Sequence, residues 1–241
     1  MSRRAGDAGD AATKLADDAE APGTRERLLR AAAEVIQNGG WGAASVGAIA
    51  ERAGVAAGTL YRHFQSKAEL FVEVFRAVSD REVAAMRGAE SGAKGMAERF
   101  DAVVATYAGR ALRNRRLAWA LVYEPVDPSV DAERLAYRRN YCDGMAMLIR
   151  RGIETGAIPS QDASIAAAAV VGVIAETLVG PLSPVTHDST DEAAIVGTIV
   201  GFCRRVIGLP PRDETVPGVR RSARRSASGR RGRPRPSASR S

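Results

Sequence analysis

Residues 45–71 read SVGAIAERAGVAAGTLYRHFQSKAELF, and their reading decides the fold. Ser45 offers its hydroxyl as N-cap to a short helix carrying Val46, Ile49, Ala50 and Ala53. Gly54 ends that helix, since glycine takes backbone conformations that other residues resist. A second short helix is expected over about 56–64, anchored by Val55 and Leu60. Ser66-Lys67-Ala68-Glu69 is a capping box, and it opens a helix through Leu70, Phe71, Val74, Phe75 and Val78. Small Ala50 lets the first two helices approach closely. Two short helices joined by so tight a turn follow helix-turn-helix logic, in which the second helix enters a DNA major groove.

Outward from this stretch the chain also reads as helical. Upstream, Thr24 is a candidate N-cap, and Leu28, Leu29, Ala32, Val35 and Ile36 recur at helical spacing until Asn38-Gly39-Gly40. Downstream, helices are expected over about 93–112, 114–124, 130–155, 160–179 and 189–208. Pro125 and Pro128 mark a loop; Gly156 with Pro159, and Gly180-Pro181 with Pro184, mark two more. Ser189-Thr190-Asp191-Glu192 is another capping box. No stretch alternates with period two, so strands are not expected. The fold class is therefore all-α with about nine helices: an N-terminal helix-turn-helix domain of three helices over 23–70 and a C-terminal helical domain over 71–209. Residues 1–22 read as a disordered leader and 210–241 as a disordered Arg-rich tail.

Composition narrows the functions. Of the 241 residues, two are cysteine and two histidine, so a disulfide scaffold and a Cys/His zinc site have no basis. The net charge of +7 is uneven, because residues 211–241 hold ten Arg against Asp213 and Glu214, while the body is nearly neutral. Such asymmetry points to a basic arm with a polyanionic partner. There is no P-loop, dinucleotide fingerprint, nucleophile elbow or metal cluster, so neither an enzyme nor a cofactor is expected. The first twenty residues lack an apolar signal region, and Ile165–Val179, interrupted by Glu176, falls short of the ~20 residues that span a bilayer. A cytoplasmic protein without a membrane partner is expected.

The string Gly54-x-x-x-Gly58-Thr59-Leu60-Tyr61-x-His63-Phe64-x-Ser66-Lys67-x-Glu69-Leu70 resembles the DNA-binding domain of the tetracycline-repressor (TetR) family. The resemblance runs from about Thr24 to Phe75. It implies a homodimer reading a palindromic operator on double-stranded DNA, and repression relieved by a small-molecule effector. It further implies that the C-terminal domain holds the effector and forms the dimer interface through its last two helices. An activator of the same fold, or an architectural DNA-binding protein using the basic tail, are the alternatives.

Candidate residues follow. Ala56, Ala57, Gly58 and Thr59 open the second short helix, where small side chains permit close approach to base edges. Thr59, Tyr61, His63 and Lys67 carry donors for phosphate oxygens, and Ser45 with nearby backbone amides offers another phosphate site. A pocket for an apolar or aromatic ligand is expected around Phe100, Tyr107, Trp119, Tyr123, Tyr137, Tyr141, Cys142 and Met145, with Glu124 and Asp143 as possible polar members. The dimer interface is expected at Ala167, Val170, Val171, Ile174, Ile195, Ile199 and Phe202. In the tail, Arg231-Gly232-Arg233-Pro234 resembles the core of an AT-hook, whose arginines enter narrow minor grooves.

Overall fold

Thr24–Ala43 (α1), Val46–Ala53 (α2) and Ala57–His63 (α3) build the N-terminal head, and Lys67–Gly92 (α4) leads out of it. Met96–Arg113 (α5), Arg115–Val122 (α6), Pro128–Glu154 (α7), Ala163–Leu182 (α8) and Glu192–Val206 (α9) follow. The computed structural model describes residues 23–185 and 191–211; among them there are nine helices and no strand. The leader, Ser189 and Thr190, and the tail from 212, including the AT-hook-like Arg231–Pro234, lie outside the described residues.

Two glycines shape the head. Gly54 sits at φ 67, ψ 39 and closes α2, its N–H bonding back to the carbonyls of Ala50 and Glu51. Gly40 interrupts α1 at φ 75, ψ −175, a region that only glycine enters readily. A Cβ at Gly40 would strike the Arg116 guanidinium and the Glu124 carboxylate. The caps of α2 and α4 form as their sequences dictate: Ser45 Oγ accepts from the Ala48 N–H at 3.1 Å, and Ser66 Oγ from the Glu69 N–H at 3.0 Å.

Several boundaries differ from the sequence reading. The α4 helix runs on from Val78 to Gly92, because Ala, Met, Arg and Glu sustain a helix on propensity after the apolar stripe fades. Pro128 opens α7 instead of lying in a loop, since a missing N–H costs nothing in the first turn; Asp127 caps it. Asp162 caps α8, which passes through Gly180 and Pro181 to Leu182. Asp191, rather than Ser189, caps α9 by accepting from the Ala193 and Ala194 N–H groups. At 20 residues, α8 is also long and apolar enough to cross a bilayer, unlike the shorter span read from sequence. Here seven of its residues, among them Ala167, Val170 and Leu178, are buried within the bundle.

Two apolar cores hold the chain. The first joins Leu28, Ile36, Trp41, Ile49, Leu60, Phe64, Leu70 and Phe71, and it takes in Ala120 and Val130 from beyond the head. The second gathers Phe100, Val104, Leu112, Leu148, Ile149, Val170, Leu178, Ile199 and Cys203. Helix α6 is pinned between head and bundle. Trp41 donates from Nε1 to the Ala120 carbonyl at 2.7 Å and from its backbone N–H to Glu124 at 2.9 Å. Glu124 pairs in turn with Arg116, and Arg134 donates to the carbonyls of Ala120, Leu121 and Glu124. These bonds satisfy the last carbonyls of α6, which no intrahelical N–H reaches.

One ion pair is buried. Arg204 on α9 donates to Asp101 on α5 at 2.8 Å, and its Nε donates to the Pro210 carbonyl at 2.7 Å. The two residues are 6% and 4% exposed, so this pair lies inside the bundle.

Candidate nucleic-acid interface and internal cleft

The first turn of α3 is open to solvent. Ala56, Ala57 and Gly58 are exposed, and a Cβ at Gly58 would meet nothing within 4 Å. Leu60 and Phe64 are buried beneath and fix which side of α3 faces outward. Thr59 is half-buried, Tyr61 is 57% exposed, and His63 is exposed. Lys67 carries its ammonium over the Phe71 ring, 5.0 Å from the centroid. Ser45 is exposed at the start of α2. All eight candidate residues lie in the segment from the cap of α2 to the first residue of α4. Arg62 is exposed on the same short helix and was missed, because the family string leaves that position open.

A cleft of about 1480 Å³ opens between α4, α5, α6, α7 and α8. Of the eight residues expected to line it, Tyr107, Tyr137, Tyr141 and Met145 do so, and Asp143 joins them. Phe100 does not: it is fully buried in the second core. Trp119 and Tyr123 stack on each other, 4.9 Å between centroids, and pack against the core outside the cleft lining. Tyr123 spends its hydroxyl on the Ala175 carbonyl. Cys142 is half-buried and absent from the lining, and Glu124 belongs to the α6 junction. The sequence offered no sign of the arginines that surround the cleft, since a lone arginine on a helix reads as a solvated charge.

The phenols of the cleft and of the neighbouring core are shifted upward by burial. Burial, reinforced by the donated hydrogen bond to Asp80, pushes Tyr137 up to about 12. Burial does the same for Tyr123, with Tyr107 and Glu176 adding to it, and Tyr107 and Tyr141 also move upward. A phenol whose folded value exceeds its unfolded value near ~10 stabilises the fold at lower pH and loses that contribution as pH rises toward the folded value. Urea unfolding between pH 8 and pH 12 is therefore expected to show stability falling above about pH 10. Tyr137→Phe should flatten that decline, and an identical slope in both proteins would contradict the assignment. Burial likewise pushes Cys203 up to about 12 and raises Cys142, which suppresses thiolate chemistry.

The apolar residues of the last two helices divide between three places. Ala167, Val170, Ile174 and Ile199 were expected at a dimer interface, but all four are buried inside their own protomer. Val171 and Ile174 line the cleft, and Ile195 packs against the second core. Of the seven, only Phe202 is openly exposed, at 48%, with Arg205 stacked 4.4 Å over its ring. The outward face instead carries Ile165, Ala168 and Ala169 on α8 with Phe202 and Val206 on α9. A period of 3.6 places two apolar faces on such Ala-rich helices, and sequence alone did not say which turns inward.

Among the described residues no group of three or more His, Cys, Asp and Glu side chains is placed to hold a metal. Comparison with known proteins now adds to the geometry. Residues 28–74 match the bacterial regulatory proteins of the tetR family, and residues 93–178 match the tetracyclin repressor-like C-terminal domain. The chain belongs to the TetR family. It is accordingly a DNA-binding transcriptional regulator. The transcriptional activator FasR of Mycolicibacterium smegmatis is 45% identical over 65 residues, 27% of this chain and 30% of FasR. The transcriptional repressor KstR of the same organism is 50% identical over 48 residues, 20% of this chain and 24% of KstR. The chain thus spans less than a third of the length of these curated relatives. Among solved structures, the fatty acid degradation regulator FadR of Bacillus halodurans superposes with a TM-score of 0.64 at 22% identity, over 77% of this chain and 99% of that one. FadR of Bacillus subtilis in complex with stearoyl-CoA gives 0.63 at 22% identity, over 74% and 96%. Both are similar in fold.

Proposed function

We propose that this TetR-family chain is a cytoplasmic, homodimeric repressor that binds a palindromic operator and is released when a small effector enters the cleft. The observation that carries the reading is the first turn of α3, whose small exposed residues stand over a buried Leu60 and Phe64. A helix presented in this way fits a major groove, and two heads match two half-sites about one helical turn or more apart. The cleft between α4 and α8 is the effector site in this reading, because it lies against the helix that leaves the head. The activator reading also has support, since FasR, similar over 65 residues, carries that name. Both need the same contacts: Ser45, Thr59, Tyr61, His63 and Lys67 toward phosphates, and Ala56, Ala57 and Gly58 at base edges.

In gel-shift titrations on the palindromic site, Thr59→Ala with Tyr61→Phe and Lys67→Ala is expected to weaken binding without changing which bases are preferred. Three lost phosphate contacts, at ~1 kcal/mol each, amount to roughly a hundredfold. Gly58→Val should instead block docking on every sequence. Undiminished affinity of the triple variant would remove α3 from the interface.

For the tail, we propose that its ten arginines add phosphate contacts, with Arg231, Gly232, Arg233 and Pro234 as a minor-groove element. Deleting residues 212–241 is expected to weaken binding and to make it less steeply salt-dependent, since fewer counterions are released. An unchanged salt slope would exclude the tail from DNA binding. A larger loss for Arg231→Ala with Arg233→Ala on operators flanked by A·T tracts would favour the minor-groove element over a plain polycation. Binding of equal strength to any duplex would point to the architectural alternative.

A further inference from the structure

We propose that the cleft takes a long-chain amphiphile with an anionic head, its chain among the apolar side chains and its head at the arginines of the wall. This rests on the reading of the cleft as the effector site and narrows the expected apolar or aromatic ligand to a charged one.

Size comes first. Pockets for drug-sized molecules run to about 300–1,000 Å³, so a cleft of about 1480 Å³ would leave a compact aromatic compound poorly enclosed. Its interior wall is apolar, with Tyr107, Met145, Leu148 and Ile174 partly or wholly buried. Two further large apolar residues of the lining, Leu135 and Met147, are 63% and 53% exposed on α7. An extended alkyl chain would cover that surface, at about 25 cal/mol for each Å² of apolar area removed from water.

Charge decides the head. The lining carries seven arginines against four carboxylates in a body that is otherwise nearly neutral. Four of the seven are engaged. Arg110 makes a two-pronged pair with Glu82, and Arg151 pairs with Glu90. Arg134 holds three carbonyls and Asp131, and Arg99 donates to the Ala93 carbonyl. Arg87 on α4, Arg113 on α5 and Arg138 on α7 have no carboxylate within ion-pair distance among the described residues. Three walls of one cleft therefore each bring an uncommitted guanidinium, a planar fork that fits carboxylate and phosphate oxygens. Arg138 shares the α7 wall with Tyr137 and Tyr141, which places its side chain among the phenols of the cleft. An uncharged apolar ligand would leave these cations without a counterpart.

The test uses the full chain with three probes of equal chain length, the two anions below their micelle concentrations and the alcohol below its solubility limit: palmitate, palmitoyl-CoA and 1-hexadecanol. Calorimetry without DNA is expected to give at least tenfold tighter binding for one or both anions than for the alcohol. Palmitate as the tighter ligand assigns a carboxylate head, and palmitoyl-CoA a phosphate-bearing one; either order supports the proposal. Arg113→Gln with Arg138→Gln should weaken the preferred anion at least tenfold and leave hexadecanol unchanged. Both arginines are exposed, so the protein should fold as before, which circular dichroism checks. Equal affinity for all three probes, no binding of either anion, or no effect of the double variant would overturn the proposal. Gel shifts on the operator separate the two readings: tight anion binding that leaves DNA affinity unchanged supports the ligand class and overturns only the effector role.

Discussion

Arg204→Met is expected to destabilise the protein by about 3–5 kcal/mol, the usual cost of removing one partner from a buried ion pair. The substitution keeps most of the side-chain volume but strips Asp101 of its guanidinium partner at a site 4% exposed. It also removes the hydrogen bond to the Pro210 carbonyl, which holds the segment after α9 against the bundle. In a chain of this size such a loss lowers the melting temperature by roughly 6–20 °C. Thermal unfolding followed by circular dichroism measures it. The paired change Asp101→Leu with Arg204→Met should melt above Arg204→Met alone, because the buried carboxylate whose charge Arg204 balances is then removed as well. If the single variant melts within a degree of the parent, the pair is not what joins α5 to α9.

In the homodimer proposed above, Ile165→Glu with Phe202→Glu is expected to separate the protomers and to lower affinity for a palindromic operator by about 10²–10⁴-fold, the advantage lost when two heads no longer bind as one. Ile165 is 69% exposed and Phe202 48%. Gln161 donates to the Ile207 carbonyl at 2.9 Å, so the start of α8 lies beside the end of α9, and both glutamates would stand at one end of the same face. Sedimentation velocity gives the oligomeric state, and gel shifts on full and half palindromes give the affinity. Ile199→Glu is expected to behave differently: it buries a charge in the protomer's own core, where the residue is 2% exposed, and should unfold the chain before it separates dimers. A double variant that remains dimeric would move the interface to another surface.

The head was legible because its constraints are local. Ser45, Gly54, Ser66 and Glu69 act within a few residues of themselves, and each forms the cap or turn its type favours. The bundle was less legible because its decisive contacts join distant helices. Nothing near Asp101 announces Arg204, 103 positions away, and nothing near Trp41 announces the carbonyl of Ala120. The cleft was half-read for the same reason. Tyr107, Tyr137 and Tyr141 were recognisable as large polar-tipped rings, yet whether Phe100 or Trp119 joined them depended on helix rotation. That rotation is set by packing, and Ala-rich helices such as α8 leave it weakly encoded.

The head and the cleft share one rigid rod. Helix α4 runs unbroken for 26 residues, roughly 39 Å at 1.5 Å per residue, and no proline interrupts it. Its first two turns, with Leu70, Phe71, Val74 and Phe75, belong to the core of the head. Its later turns, from Phe75 to Ser91, form one bank of the cleft. A rod of this kind works as a lever with two unequal arms. A tilt of a few degrees, too small to disturb any one packing contact near its fulcrum, becomes a displacement of ångströms at the far tip. In a dimer with two such levers, opposite tilts change the gap between the tips by twice that amount, while the DNA keeps the fixed pitch of its grooves.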